Sequence, residues 1–263
     1  MLMNKLLPIY KPIGKTPLEM IHTIRLTYPE FQNEKISYAG RLDPMAHGIL
    51  LLMIGDANKE RNKYLQLPKT YEFQAILGVQ TDSYDVLGIV KTEITPIANR
   101  YEKKTKNLHH TICEDGINTF LSQYTDTFEQ PYPPFSSKPV NGKPLYWWAK
   151  HNKLHEITIP KHKVEIHSFL YKKMHHISKD DLHKKITHMI SEVSGDFRQE
   201  EISNHWNAYF NRSNQKYYTI VSFVIDCSSG TYVRGLIHDL GIALGTGGVA
   251  LDINRTKIGN FAL

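Results

Sequence analysis

Cysteine is scarce in this chain, and long apolar runs are absent. Only Cys113 and Cys227 occur among 263 residues, and they lie far apart. This excludes a disulfide framework and a thiolate zinc site, and it is typical of a reducing compartment. No apolar run reaches the roughly 20 residues of a membrane helix. The first ten residues lack the apolar core of a secretory signal. We therefore expect a cytoplasmic protein that does not bind membranes.

The usual signatures of nucleotide and metal sites are also missing. The glycine-rich G-T-G-G at 245–248 lacks the strand-glycine-helix context of a dinucleotide loop. The pair His151 and His155 stands in H-N-K-L-H, without the glutamate of a zinc protease. No third ligand with suitable spacing follows it, so surface histidines are the better interpretation. We expect neither a metal nor a cofactor.

Positive charge is present in excess, and it is concentrated. The chain has 32 basic and 26 acidic side chains, a net charge of +6. Residues 138–173 contain eight lysines, among them Lys138 and Lys143, against two glutamates, so this segment carries the whole excess. Tyr146, Trp147 and Trp148 lie within it. Lysines bind phosphates and rings stack on bases, so the pattern favours a nucleic-acid surface. A solvated lysine-rich face is the structural alternative.

Hydrophobic periodicity predicts an α+β fold with a largely antiparallel sheet. Helices are predicted over 17–28, where Thr16-Pro17 forms an N-cap, and over 57–67, 115–124 and 232–244. Strands are predicted over 6–10, 49–54, 71–78, 164–171 and 217–227. The polar stretch 174–216 contains an amphipathic helix marked by Leu182, Ile186, Met189, Ile190 and Val193.

One acidic residue stands in an unusual setting. Asp43 lies in S-Y-A-G-R-L-D-P-M-A-H-G-I-L-L-L-M-I-G, residues 37–55, after Arg41 and just before an apolar strand. Aspartate before proline is common in turns, where it caps backbone groups. Alternatively, Asp43 is a nucleophile held over a cleft. S-S-G-T-Y-V-R-G at 228–235 supplies Tyr232 and Arg234, and an arginine beside Asp43 would keep it ionised.

The chain resembles the TruB family of tRNA pseudouridine synthases. Y-A-G-R-L-D-P-M-A-H-G-I-L matches that family's catalytic motif, G-x-L-D-P-x-A-x-G-x-L. Other similar blocks follow in the same order: Y-K-P-I-G-K-T, K-T-Y-E-F-Q-A-I-L-G, T-D-S-Y-D-V-L-G, P-P-F-S-S-K-P-V-N-G-K-P-L-Y and S-S-G-T-Y-V-R-G-L-I-H-D-L-G. Together they cover roughly residues 8–172 and 217–259. The resemblance implies the pseudouridine-synthase fold, a mixed and mostly antiparallel sheet flanked by helices, with a central RNA-binding cleft.

The resemblance also implies residue roles. Asp43 is the expected nucleophile, Tyr71 stacks on the target base, and Arg234 pairs with Asp43. Tyr232 helps to form the pocket, and Ile253 is an apolar wall. Lys11 and Pro12 belong to a structural loop near the site. The remaining candidates for RNA contact are Tyr38, Arg41, Lys138 and Lys143.

The implied reaction is isomerisation of the T-loop uridine, tRNA position 55, to pseudouridine. The target base leaves its stack and enters a pocket, where a carboxylate attacks the nucleotide covalently. Two alternatives stay open: a non-catalytic RNA-binding or RNA-folding factor on the same scaffold, and a synthase that acts on another structured RNA. The expected partner is the T-arm of tRNA, with no obligate protein partner and a monomeric state.

Three departures from the family pattern are visible. Tyr38 stands where many members have a histidine, so stacking could persist but imidazole hydrogen bonds could not. The chain is expected to be one catalytic domain, 1–263, without the C-terminal PUA domain of many bacterial members. The segment at about 174–216 is expected to be a helical insertion, which either extends the RNA-binding surface or covers a sheet face.

Overall fold

A long mixed sheet runs through the computed structural model, which describes residues 4–91, 112–124 and 126–263. The strand order of its main path is β1-β3-β10-β4-β9-β8-β5, with β2 on β3 and β11 on β10. The strands are β1 Asn4–Lys11, β2 Ile36–Tyr38, β3 Ala46–Gly55, β4 Lys69–Leu77, β5 Thr127–Pro131, β6 Pro139–Val140, β7 Lys143–Pro144, β8 Lys161–Ser178, β9 Tyr217–Cys227, β10 Gly248–Ile258 and β11 Phe261–Ala262. A separate small hairpin consists of β6 and β7.

Seven α-helices accompany these strands in the described part of the chain. They are α1 Pro17–Thr27, α2 Arg61–Leu65, α3 Glu114–Leu121, α4 Leu145–Lys150, α5 Lys179–Ser191, α6 Gln199–Arg212 and α7 Val233–Ala243. Short 3-10 helices cover Pro29–Phe31, Asp56–Glu60 and Leu154–Glu156. Within the described ranges, none of the helices has the length and apolar character needed to cross a membrane.

The sheet is antiparallel at every pairing between its strands except one. Among the strands of the described residues, only β10 and β3 run parallel, with Ile253 opposite Ala46. This confirms the predicted α+β class and the mostly antiparallel sheet. The parallel pair brings β10 beside the start of β3, three residues after Asp43.

Two predicted elements were wrong in their extent. The predicted helix 57–67 is a 3-10 turn over Asp56–Glu60 followed by the short helix α2. The predicted strand 164–171 is the 18-residue β8, which continues to Ser178. The polar residues at its end look unlike a strand, but β9 pairs with them as far as Ser178 opposite Tyr217. The predicted insertion therefore begins as strand and becomes helical only at Lys179.

The core lies on both faces of the sheet. Strands β4 and β9 alternate their side chains, so that Phe73 and Phe223 face α3 and α7. Their neighbours Ile76 and Ile220 face the opposite way, into a second cluster formed with α5, α6 and the segment 79–90. The hairpin of α5 and α6 thus covers a sheet face, one of the two alternatives for the insertion.

Trp206 attaches α6 to the segment 79–90. Its side chain is buried to 1% exposure, and its indole Nε1 donates a hydrogen bond of 3.0 Å to the carbonyl oxygen of Val86. The ring also stacks on Phe210, one turn further along the helix. One side chain therefore combines core packing with a hydrogen bond between two elements.

We expect Trp206→Phe to lower the free energy of unfolding by about 1–3 kcal/mol, because the Val86 carbonyl loses its donor and the smaller ring leaves a gap. Chemical denaturation measures this difference. The matched control is His205→Phe, at the neighbouring exposed position of α6. Equal effects of the two variants would contradict the assigned role of Trp206.

The N-terminus of α1 is linked to the turn between α5 and α6. Thr16 and Glu19 form a capping box, in which the Glu19 carboxylate accepts from the backbone N–H of Thr16 and the Thr16 hydroxyl accepts from that of Glu19. The hydroxyl of Ser194 also donates to Glu19. Burial opposes ionisation of Glu19, but the hydrogen bonds from Ser194 and Thr16, with the charge of Lys15, lower its pKa to about 2.

This depressed pKa predicts acid sensitivity. Ionised Glu19 stabilises the fold fully above its unfolded pKa of 4.5, and that contribution is lost as the pH falls towards 2. Denaturation at pH values of about 6, 4.5 and 3 measures the free energy of unfolding of wild type and of Glu19→Gln. The difference between the two proteins should become smaller as the pH falls. The exposed Glu30→Gln serves as control. A gap that stays constant with pH would show that Glu19 is not the titrating group.

Candidate active site

The loop between β2 and β3 presents Asp43 to a cavity. Its backbone turns at Asp43, whose carbonyl oxygen accepts from the N–H of Ala46. Gly48 follows with φ of +102°, and a Cβ there would lie 2.3 Å from the carbonyl oxygen of Arg255. Only glycine allows this approach of β3 to β10. The Asp43 side chain keeps 32% of its surface exposed.

A cavity of about 200 Å³ adjoins this carboxylate. It is smaller than the roughly 300–1,000 Å³ of sites for drug-sized ligands, so it suits one small group. Six of the nine predicted site residues line it: Arg41, Asp43, Tyr71, Tyr232, Arg234 and Ile253. Residues separated by more than 200 positions in sequence, Arg41 and Ile253, thus line one cavity.

Arg234 is the buried partner of Asp43. It lies in the first turn of α7 with 3% of its side chain exposed, and its Nε lies 2.8 Å from Asp43 Oδ2. Its Nη1 donates to the carbonyl oxygen of Ser83 at 2.5 Å, and its Nη2 to that of Phe135 at 3.3 Å. The nearby carboxylates raise the pKa of Arg234 against the opposing effect of burial.

Asp85 is a second carboxylate beside Arg234, and the sequence analysis assigned it no role. Its Oδ2 lies 3.6 Å from Arg234 Nε, and its Oδ1 accepts from the Ser83 hydroxyl at 2.6 Å. Burial raises the pKa of Asp85 to about 6, although Arg234 opposes this. The signal was in T-D-S-Y-D-V-L-G, where an aspartate follows an apparent turn, but nothing in that pattern shows that its side chain is buried.

Buried cations form the floor of the cavity. Arg255 is 1% exposed and donates from Nε to the carbonyl oxygen of Ile49 and from Nη2 to that of Gly40. Burial raises the pKa of Tyr71, while Arg255, its hydrogen-bond partner, opposes that effect. Lys69 donates to the carbonyl oxygens of Leu65 and Leu67, and burial lowers its pKa to about 8.

Lys11 fixes the loop of Asp43 through contacts with backbone carbonyl oxygens. Its Nζ donates to the carbonyl oxygens of Pro12 and Lys15, and lies 3.4 Å from that of Pro44, the residue after Asp43. Burial lowers the pKa of Lys11 to about 8, and the charge of Asp43 opposes this shift. The geometry is that of a structural loop near the site.

Tyr232 is fixed by residues that the sequence analysis missed. The amide of Gln130 accepts from the backbone N–H of Tyr232 at 2.8 Å and donates to its carbonyl oxygen at 3.0 Å. The ring meets those of Tyr132 and His162 edge to face. Burial raises the pKa of Tyr232 to about 12, so its hydroxyl stays protonated at neutral pH.

Three predicted site residues lie outside the cavity lining. Tyr38 is in β2 opposite Leu52, and it packs against the cluster beneath α1. Lys138 lies over the ring of Tyr132, and Lys143 lies 3.4 Å from the centroid of Trp147. Their contact with RNA stays a prediction. Among the residues that the structure describes, no group of three His, Cys, Asp or Glu side chains is placed to hold a metal ion.

Comparison with known proteins identifies the family. A profile of the TruB family pseudouridylate synthase N-terminal domain matches residues 29–191, more than half of the chain. The chain belongs to the TruB family of pseudouridylate synthases. This confirms the resemblance found in the motifs, and it makes the protein an isomerase.

Individual relatives agree with this membership. A Lactobacillus johnsonii protein named tRNA pseudouridine synthase B is 30% identical over 265 residues, which span 100% of this chain and 71% of the relative. A Clostridium kluyveri protein of the same name is 30% identical over 260 residues, which span 98% of this chain and 68% of the relative.

Solved structures confirm the fold. A chain of a Cbf5-Nop10-Gar1 complex superposes with a TM-score of 0.55 at 18% identity, and a chain of an H/ACA RNP bound to a substrate RNA containing 2'-deoxyuridine with 0.51 at 16%. The match covers 98% of this chain in both cases. The chain spans about half the length of those proteins, 49% and 48%. At these identities the likeness concerns the fold alone.

The hydrogen bonds of Arg255 lead to a prediction about the stability of the protein. Arg255→Lys keeps the charge but loses the fork that reaches both Ile49 and Gly40, so we expect it to lower the free energy of unfolding by about 1–3 kcal/mol. Denaturation with urea measures the change. Lys257→Arg, at an exposed position of the same strand, is the control. If Arg255→Lys were as stable as wild type, the guanidinium of Arg255 would not hold the segments of Ile49 and Gly40 in place.

Proposed function

We propose that this protein converts the T-loop uridine of tRNA, position 55, to pseudouridine, with Asp43 as the nucleophile. Membership of the pseudouridylate synthase family and two relatives named tRNA pseudouridine synthase B support the reaction and the substrate class. The position in the RNA and the residue roles are our inference from the motifs and the cavity.

The pairing of Asp43 with Arg234 carries this proposal. A carboxylate nucleophile must be ionised, held in one place and open to its substrate. Arg234 supplies a permanent positive charge 2.8 Å from Oδ2, and it is itself fixed by three further contacts. The other side of Asp43 faces the cavity. An aspartate that only capped a turn would need neither a buried arginine nor a cavity.

The cavity walls suit a flipped pyrimidine base. Tyr71 presents an aromatic ring for stacking, and Ile253 adds an apolar surface nearby on β10. A target base in a folded RNA must leave its stack to reach such a pocket, and stacking on protein side chains offsets part of the cost. Tyr232, held by Gln130, completes the rim.

The reaction rearranges bonds without a donor. Asp43 forms a bond to ribose C1′ as the bond between C1′ and uracil N1 breaks. The base turns, and C5 forms the new bond to C1′ as the bond between C1′ and the carboxylate breaks, which restores Asp43. C5 then loses its proton, and N1 gains one. Substrate and product have the same atoms, so no redox partner or group donor takes part.

The lysine-rich segment is the proposed approach path for the RNA. Ser136 and Ser137 line the cavity, and the chain continues from them into the hairpin of β6 and β7 and then into α4. Lys143 and Trp147 form a cation–π pair there, which offers both charge and a ring to a nucleotide. Charge of this kind attracts structured RNA through its phosphates.

Tritium release from C5-labelled uridine in a T-arm transcript tests the chemistry. We expect Asp43→Asn to lower the rate by on the order of 10³-fold or more, with RNA affinity within about threefold of wild type, because the nucleophile is lost and the surface is kept. Asp56→Asn is the matched control, since Asp56 is 31% exposed and also pairs with a cation, Lys59.

The two alternatives give different results in the same assay. Binding of the T-arm by wild type without tritium release would contradict the catalytic claim for this RNA and favour an RNA-binding factor. Release from an unrelated stem-loop but not from the T-arm would point to another structured RNA as substrate.

A further inference from the structure

The turn between α5 and α6, residues 192–198, reaches the wall of the active site. Three of its residues, Asp196, Phe197 and Arg198, line a second cavity of about 330 Å³, which Asp43 and Arg234 also line. The match to the family profile ends at residue 191, so this turn and α6 lie beyond it. The sequence predicted only that the segment extends the RNA-binding surface or covers a sheet face.

Arg198 makes two contacts from this turn, each to a different segment. Its Nη1 and Nη2 both lie 3.1 Å from Asp82 Oδ2. Its guanidinium carbon lies 4.5 Å from the ring centroid of Phe135, a cation–π distance. The side chain is only 17% exposed, so its charge is directed at these two partners rather than at solvent.

These two partners stand next to the groups that hold Arg234. The carbonyl oxygens that accept from the Arg234 guanidinium belong to Ser83, which follows Asp82, and to Phe135 itself. Asp82 is fixed further by its Oδ1, which accepts from the backbone N–H of Ile89 at 2.8 Å. A continuous series of contacts therefore runs from Arg198 through both segments to Arg234 and Asp43.

Two residues in or beside these contacts have a left-handed backbone conformation. Arg198 has φ of 64° and Tyr84 has φ of 69°, two of four non-glycine residues with positive φ in the described chain. Such conformations persist where the surroundings hold them, and they gather at functional sites. Gln199 secures the turn, since its amide donates to the carbonyl oxygens of Val193 and Gly195.

We propose that Arg198 is a positioning residue for the active site: it holds the segments of Ser83 and Phe135 in place, and through them the guanidinium that orients Asp43. This rests on the proposed function, in which Asp43 is the nucleophile. Arg198 touches neither Asp43 nor the first cavity, so its effect is on the rate of the chemical step and not on RNA binding. The helical hairpin then contributes to catalysis as well as to the core.

Single-turnover pseudouridine formation and RNA affinity, measured separately, test the proposal. We expect Arg198→Met to lower the single-turnover rate by about 10- to 100-fold while the Kd for a T-arm transcript changes less than about twofold. Arg198→Lys should recover part of the rate. Asp82→Asn should slow the reaction too, and the double variant should be no slower than the worse single variant, because both changes break one pair.

Hydrogen exchange of the RNA-free protein gives a second readout that does not need activity. Arg198→Met should raise exchange in segments 82–87 and 135–137, and Arg212→Met, at the exposed far end of α6, should not. If Arg198→Met does not fold, Arg198→Lys and Asp82→Asn carry the test with the same expected directions.

A wild-type rate in Arg198→Met, or a loss found wholly in the Kd, would overturn the proposal, as would unchanged exchange in both segments. Additive effects of Arg198→Met and Asp82→Asn would also overturn it. Wild-type protein that forms no pseudouridine would instead remove the proposed function, and the exchange measurement would still decide whether Arg198 holds the two segments.

Discussion

Arg234 carries a permanent charge into a place where only 3% of its side chain meets solvent. Burying an unpaired charge costs several kcal/mol, so such a group needs partners in nearly every direction in which it can donate. Here the partners are two carboxylates, Asp43 and Asp85, and two carbonyl oxygens, each from a chain segment outside α7. Because all of them converge on one guanidinium, the Asp43 loop, the segment 79–90 and the segment around Phe135 must adopt fixed positions relative to the sheet.

Further cations are buried near the pair of Asp43 and Arg234. Lys11, Lys69 and Arg255 are all buried close to it, and burial lowers the pKa of both lysines to about 8. Each donates to backbone carbonyls, so these cations fix loops, and Lys69 and Arg255 also add positive charge to the cavity lining. A polyanionic substrate would meet favourable potential at the rim and at the bottom, which agrees with the charge concentrated in residues 138–173.

The fold and much of the candidate site could be predicted from the sequence, for physical reasons that differ by residue. Strand β9 was predicted at its observed bounds because its alternating apolar residues face two cores. Arg234 and Tyr71 were found through motifs, and the structure brings them to Asp43. Asp85 and Arg198 were missed because their contacts depend on burial and on partners distant in sequence. The end of β8 was missed because its pairing with β9, and not its own composition, makes it a strand.

The hairpin of α5 and α6 limits how far this protein can be shortened. Its apolar side chains Leu182, Ile186 and Trp206 are fully covered, and they close the core over Ile220 and Val249. Removing the hairpin would leave that sheet face exposed to water and open to aggregation. Because the strands beneath the hairpin carry apolar side chains on that face, the chain could not lose the hairpin and stay folded. Trimming this protein to a minimal scaffold would first require redesigning the sheet surface that the hairpin covers.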